Sequence, residues 1–377
     1  MGKHRVPLQK PRPDIDRFLD AVLGKKVPDK VPMVEYLIDN AVMQPILENM
    51  MGRPWIDPSD KGEYMGGQMD LSKDNLKTMN AFLDNVIAFW YHMGYDYVRV
   101  EASLPLPAVS HVIKDTARGR ESYNRAWQAM TEGIIGTWEE FEKYPWPQIG
   151  DSTFYMHEYI CTHLPDGLGF VTCHAGGVYE HLSRLVGFEQ LCLMLYDNSE
   201  LFKAVVDKIG ELIEEYNRRL LQLDGIAAVF QGEDFGSVSQ TFLPPDAIKK
   251  YFFPWHKTYA HMCHDAGRPY FLHSCGEISS LMDGLINDVK IDGKHSFQDK
   301  SAPVIEYKKR YGDRIAILGG VDVDVVTRSE PDTLKRYVRK IIDACALGGR
   351  FAIGSGNSIP SYIPVENYLA MIDECLR

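Results

Sequence analysis

Hydrophobic positions along this chain fall into a repeating unit: a short β-branched or apolar run, a polar or glycine-containing turn, then a stretch with apolar residues spaced by three and four. Eight such runs are legible, at residues 31–37, 97–101, 169–174, 226–231, 269–273, 291–295, 314–318 and 351–354. Between them the spacing predicts amphipathic helices. Leu201, Val205, Ile209, Leu212, Tyr216 and Leu220 fall on one helical face, with Ser199 as the candidate N-cap. Pro244-Pro245-Asp246 starts a further helix that ends at Gly267, and Pro254 predicts a kink inside it. Strands alternating with helices imply parallel pairing through right-handed crossovers. Eight units close naturally into one (β/α)8 TIM-type barrel, where a doubly wound sheet would more often have five or six strands. The expectation is a single domain over residues 1–377. Residues 1–14, interrupted by Pro7, Pro11 and Pro13, form an extended N-terminal arm. Insertions obscure the repeat between residues 52 and 143, and residues 136–153, with Trp138 and Trp146, read as an excursion covering the barrel mouth.

Composition narrows the function classes. The 377 residues are 45% hydrophobic and 25% charged, with a formal net charge of −11 and no long Lys/Arg block. Nucleic acid is therefore not an expected partner, because phosphate binding needs a concentrated basic surface. No run of about 18 apolar residues predicts a membrane span, and the N-terminus lacks the apolar core of a signal peptide. Seven cysteines without a short-chain spacing pattern suit a reducing cytoplasm better than a disulfide framework.

In a barrel of this kind the chemistry gathers at the carboxyl ends of the strands. Those ends carry Glu35, then Arg99 and Glu101, then Cys173-His174, then Gln231-Gly232-Glu233-Asp234. The later ends carry His273-Ser274-Cys275-Gly276, Lys294-His295-Ser296, Gly319-Gly320-Val321-Asp322 and Gly354-Ser355-Gly356-Asn357. His273 and Cys275 are two apart on a strand, so their side chains share a face and can converge on one ion. Imidazole nitrogen with thiolate selects zinc over calcium or magnesium. A catalytic zinc usually has three protein ligands and an open position. The third is Glu233, Asp234 or Asn357, with Glu233 favoured because it shares parity with Gln231 and Val229. The bland reading of Glu233-Asp234 is a helix cap. Adjacent residues face opposite ways, so Cys173 and His174 do not chelate one ion together. His174 is a candidate pocket residue, as are Glu35, Glu101 and Asn357. His295 supports a ligand or faces the substrate, and Asp322 orients a ligand or caps the next helix. No Gly-x-Ser-x-Gly elbow and no His-Glu-x-x-His helix supports a hydrolase.

The chain resembles the uroporphyrinogen decarboxylase superfamily, most closely in Phe271-Leu272-His273-Ser274-Cys275-Gly276, Leu318-Gly319-Gly320-Val321-Asp322 and Gly356-Asn357-Ser358. The His-x-Cys-Gly form is similar to its branch of zinc-dependent, corrinoid-linked methyltransferases. That resemblance implies zinc on His273 and Cys275, and methyl exchange with the cobalt of a separate corrinoid protein. The coenzyme M-type branch carries a third cysteine where Gly356-Asn357-Ser358 stands here. Its absence favours an enzyme that demethylates a small donor such as a methoxylated aromatic compound and uses an oxygen ligand such as Glu233. True decarboxylases need an arginine-rich N-terminal segment, whereas residues 32–39 have no arginine and two acids, Glu35 and Asp39. A non-catalytic corrinoid-protein binding subunit is the reading from another class.

Overall fold

Seven of the eight predicted runs become strands of one parallel sheet, each paired with the next along the chain. The computed structural model describes residues 4–57, 73–108, 110–114, 124–128 and 133–377. The strands are β1 (Tyr97–Arg99), β4 (Gly169–Thr172), β5 (Ile226–Gly232), β6 (Tyr270–His273), β7 (Gly293–His295), β8 (Ala316–Leu318) and β9 (Phe351–Ala352), in the order β1-β4-β5-β6-β7-β8-β9. A separate antiparallel ribbon of β2 (Ser110–Lys114) and β3 (Asn124–Gln128) lies in the stretch where the repeat was illegible.

The first run, residues 31–37, departs from the expected eight-strand count. Its Met33 makes a single parallel bridge to Ile353 beside β9, and Ile38, just past the run, makes another to Ile359. Pro32 has no N–H to give to a ladder. On the β1 side the Tyr97 hydroxyl replaces strand pairing, donating to Glu35 O at 2.9 Å and accepting the Glu35 N–H at 2.9 Å. This segment therefore touches both edge strands without becoming a strand itself.

Alternate residues of each strand meet different surroundings. Arg99, Phe230, Phe271, His273 and His295 contact one another on one face. The other face meets helices: Tyr270 Oη lies 2.8 Å from Nδ1 of His256 on helix Phe253–Asp265, and Lys294 Nζ sits 5.1 Å from the Tyr307 ring on helix Val304–Tyr311. Both layers join one continuous buried core. Helix Ser199–Leu220 buries Leu201, Val205, Ile209, Ile213, Tyr216 and Leu220, each large aliphatic contributing about 1.5–3 kcal/mol. Its N-cap is Asn198, whose side chain accepts the Leu201 N–H; Ser199 is the first helical residue instead. The predicted kink is a break: one helix ends at Tyr251, Phe252 joins them, and the next begins at Phe253, so Pro254 falls in its first turn.

Of the expected arm, residues 4–13 run without helix until Asp14 caps helix Ile15–Val22, and Val6 is buried. Within residues 136–153, a capping box of Thr137 and Glu140 starts helix Trp138–Lys143, and Tyr144 Oη donates to Pro107 O in the loop beyond β1. No helix among the described residues is long and apolar enough to cross a membrane.

Candidate metal centre

The register of the sheet assembles the site. Gly232 on β5 pairs with His273 on β6, and His273 pairs with His295 on β7. Just past these ends, Asp234, His273 and Cys275 each offer one ligand atom, all within 4.8 Å of one another. His273 Nε2 is 3.3 Å from Cys275 Sγ and 3.6 Å from Asp234 Oδ1. The same carboxylate oxygen accepts the Cys275 backbone N–H at 2.9 Å, which ties the β5 loop to the β6 loop. Gly276 follows at φ 74°, and a Cβ there would lie 2.3 Å from the carbonyls of Gly236 and Ser237. Only glycine allows the two loops this approach.

Behind these ligand atoms the side chains are tightly held. Tyr36 stacks on His273 with ring centroids 4.0 Å apart, and the Arg99 guanidinium covers the other side of Tyr36 at 3.8 Å. His273 Nδ1 is 2.7 Å from His295 Nδ1, and His295 Nε2 is 3.1 Å from Ser355 O. Asn357 Nδ2 donates to Cys275 Sγ at 3.2 Å. Burial, reinforced by the neighbouring imidazole, pushes His273 far below the ordinary histidine range. Burial likewise takes His295 down to about 3, so both rings are neutral. Burial first, and then Asp234, push the Cys275 thiol up. Asp234 is also raised, chiefly by burial.

This donor set fits zinc. One imidazole nitrogen, one sulfur and one carboxylate oxygen are donor types that zinc accepts, and three is the usual number of protein ligands for a catalytic zinc. Enclosure holds back ionisation of Cys275 and Asp234, and a divalent cation between them reverses that penalty.

A cleft of about 1040 Å³ opens at the carboxyl ends of the strands; Asp234, His273 and Cys275 do not line it, and its lining residue Asn357 reaches Cys275. Met43, Phe82, Val86 and Trp90, from helices Asn40–Met51 and Lys73–His92, form an apolar wall. Glu101, Asp322 and Asn357 contribute polar groups, and Asn357 links the cleft to Cys275.

Several sequence expectations need correction. Glu233 does not approach His273 or Cys275 with its side chain. Its Oε1 accepts the N–H groups of Tyr179 and Glu180 at the start of helix Val178–Val186, and its Oε2 lies 3.0 Å from His256 Nε2. The parity argument chose the wrong face, because Phe230, not Gln231, joins the His273 side of β5. Glu35 is fully buried and held by Ser355, away from the cleft wall. His174 is also fully buried: its Nε2 accepts the Leu104 N–H, and its Nδ1 lies 3.2 Å from Gly176 O. Of the two roles expected for His295, its contact with His273 Nδ1 fits support of a ligand, and it does not line the cleft. Asp322 lines the cleft, and it also caps helix Val323–Arg328 and accepts the Asp299 N–H. Glu101 lines the cleft and pairs with Arg99 at 2.9 Å. Tyr36 and Ser355 were missed as site residues; Tyr36 follows Glu35, and Ser355 lies two residues before Asn357.

Comparison with known proteins agrees with this architecture. Residues 130–377 match the family model described as uroporphyrinogen decarboxylase (URO-D). Among solved structures, a methyltransferase from Methanosarcina mazei aligns with a TM-score of 0.67 at 15% identity, covering 97% of this chain and 98% of that one. A B12-independent methionine synthase from Shewanella sp. W3-18-1, in complex with selenomethionine, aligns with a TM-score of 0.50 at 10% identity, covering 83% and 92%. At these identities the likeness is one of fold. No curated protein matches the sequence significantly. Because the family match spans well over half of its length, the chain belongs to the uroporphyrinogen decarboxylase family.

Proposed function

We propose that this chain is a methyltransferase that moves a methyl group from a small methoxylated compound, with an aromatic ether as the first choice, to Co(I) of a corrinoid carried by a separate protein. The observation that carries the reading is the convergence of Asp234, His273 and Cys275, joined through Asn357 to an apolar-walled cleft. Asp234 takes the oxygen-ligand role that the sequence assigned to Glu233. In the same reading the whole chain acts as one unit, and the segment around Met33 closes the seven strands into a barrel.

The transfer is an in-line displacement. Co(I) gives an electron pair to the methyl carbon, the carbon–oxygen bond breaks, and its pair remains on the departing oxygen. Asp234, His273 and Cys275 would hold a zinc ion, which when bound would supply a Lewis acid to stabilise this charge. Met43, Phe82, Val86 and Trp90 provide a wall against which a flat ring packs and from which water is displaced. Asn357 donates to Cys275 Sγ and so favours the thiolate form. A polycarboxylate tetrapyrrole suits the cleft poorly. Asp39, Glu101, Asp299, Asp322 and Asp324 line it, against Arg99 and Lys300 as cations.

The test mixes the purified protein with a reduced corrinoid protein and a panel of methoxylated aromatics. Conversion of Co(I) to methyl-Co(III), with an equal amount of the demethylated phenol, is the expected result. Decarboxylation of uroporphyrinogen without any corrinoid overturns the proposal. Methyl transfer from methylcobalamin to a thiol, with ethers inert, moves the chain to the thiol branch.

A further inference from the structure

Two hydrogen-bond chains leave the candidate metal ligands and meet at one residue. From His273 the path runs through His295 to the carbonyl of Ser355. From Cys275 it runs through the Asn357 side chain, whose own backbone carbonyl takes up the Ser355 hydroxyl. Glu35 holds Ser355 from beneath: its Oε1 accepts the Ser355 N–H at 2.8 Å, and its Oε2 is 2.6 Å from Ser355 Oγ.

Counting protons along these chains fixes their direction. Ser355 O can only accept, so His295 Nε2 carries hydrogen, and in the neutral ring its Nδ1 is then a lone pair. His273 Nδ1 must then donate to it, which leaves the His273 Nε2 lone pair directed at Cys275 and Asp234. At the other end, the Ser355 hydroxyl faces two acceptors, Glu35 Oε2 and Asn357 O, with one hydrogen to give. Both contacts are satisfied only when Glu35 brings a hydrogen of its own: Glu35 O–H donates to Ser355 Oγ, and Ser355 O–H donates to Asn357 O. Glu35 is fully buried and takes both carboxyl partners from Ser355. The titratable groups around it are Tyr95, Tyr97, Tyr368 and Cys375, none of which supplies a positive charge.

We infer that Glu35, as a neutral carboxylic acid, is a positioning residue that acts through Ser355 on both His273 and Cys275. It sets the tautomer of one ligand through His295 and the placement of the other through Asn357. Partners of this kind orient metal ligands, and their loss typically weakens metal affinity by about 10–100-fold. The inference rests on the metal reading of the cluster, and two of its tests need no metal.

The variants are Glu35→Gln, which keeps a neutral donor and acceptor in nearly the same shape, Glu35→Ala, and Ser355→Ala. In the metal-free protein, nitrogen NMR of labelled histidines is expected to place hydrogen on Nδ1 of His273 in wild type and in Glu35→Gln, and to give mixed tautomers in Glu35→Ala. The infrared spectrum is expected to hold a buried carboxylic-acid band that Glu35→Gln removes. Zinc competition against a chelator is expected to leave Glu35→Gln within about twofold of wild type and to weaken Glu35→Ala about 10–100-fold. Ser355→Ala keeps the backbone carbonyl, so it is expected to hold the His273 tautomer while weakening zinc through the Asn357 arm. Should Glu35→Ala fail to fold, the wild-type tautomer, the infrared band and Glu35→Gln still decide. A carboxylate band in place of the acid, hydrogen on Nε2 of wild-type His273, or equal loss of zinc in Glu35→Gln and Glu35→Ala overturns the inference. A wild-type protein that shows the tautomer and the acid band yet binds no zinc refutes the metal reading instead.

Discussion

Asp234 Oδ1 accepts the backbone N–H of Cys275 at 2.9 Å while standing 3.6 Å from His273 Nε2. One carboxylate thus joins two strand ends and completes the three-donor cluster. Asp234→Asn keeps an oxygen to accept that N–H but removes the charge. Its zinc loss is expected to exceed the 10–100-fold that follows removal of an outer partner of a ligand, with circular dichroism unchanged. Chelator competition reads the result; full zinc retention by Asp234→Asn would remove Asp234 from the ligand set.

Glu233 is expected to behave in the opposite way. Its carboxylate serves two N–H groups at a helix start and His256, so Glu233→Ala leaves buried donors unpaired. A loss of about 1–3 kcal/mol in a urea melt is expected, with the zinc bound per folded chain unchanged. Zinc loss without destabilisation would reinstate Glu233 as a ligand.

The contrast between these neighbours shows how far the sequence could be read. Seven strands were legible because their apolar runs are flanked by turn and helix signals. The run at 31–37 looked equally strand-like, but Pro32 and the Tyr97 hydroxyl take it out of the ladder, and the second of these is a contact of high sequence separation. His273 and Cys275 were legible because a two-residue spacing fixes their shared face. The choice between Glu233 and Asp234 depended on which face of β5 meets His273. Only the packing of Phe230 against Phe271 and His295 settles that. Glu35 drew notice as an acid near a strand end, yet nothing local reveals that Ser355, 320 residues later, encloses it.

That enclosure has a pH signature. Burial raises Glu35 from 4.5 to about 8, so the folded protein holds the proton more tightly than the unfolded chain does. The stabilisation is fully present below about pH 4.5 and is lost as pH rises towards 8, with a slope of up to about 1.4 kcal/mol per unit from this group. Urea midpoints for wild type and Glu35→Gln, compared from pH 5 to 8, isolate it: Gln cannot ionise, so the difference between the two should change across that window. A constant difference would show that Glu35 does not titrate there.

Zinc uptake near neutral pH is expected to expel the proton of Cys275. Burial and Asp234 raise this thiol above its usual range, so the metal-free protein carries it protonated, whereas zinc binds the thiolate. His273 is already neutral through burial and releases nothing on binding. The metal-free form therefore holds one more thiol proton than the metal-bound form, and raising the pH favours binding. From this proton alone, apparent affinity should climb about tenfold per pH unit while the solution remains below the thiol pKa. Calorimetry in buffers of different ionisation enthalpy counts the protons directly. Cys275→Ser places a group at the site that does not ionise in this range, so the variant should bind zinc more weakly and with a shallower pH slope. Wild-type affinity that is flat with pH, with no proton released, would mean that Sγ of Cys275 does not join the metal.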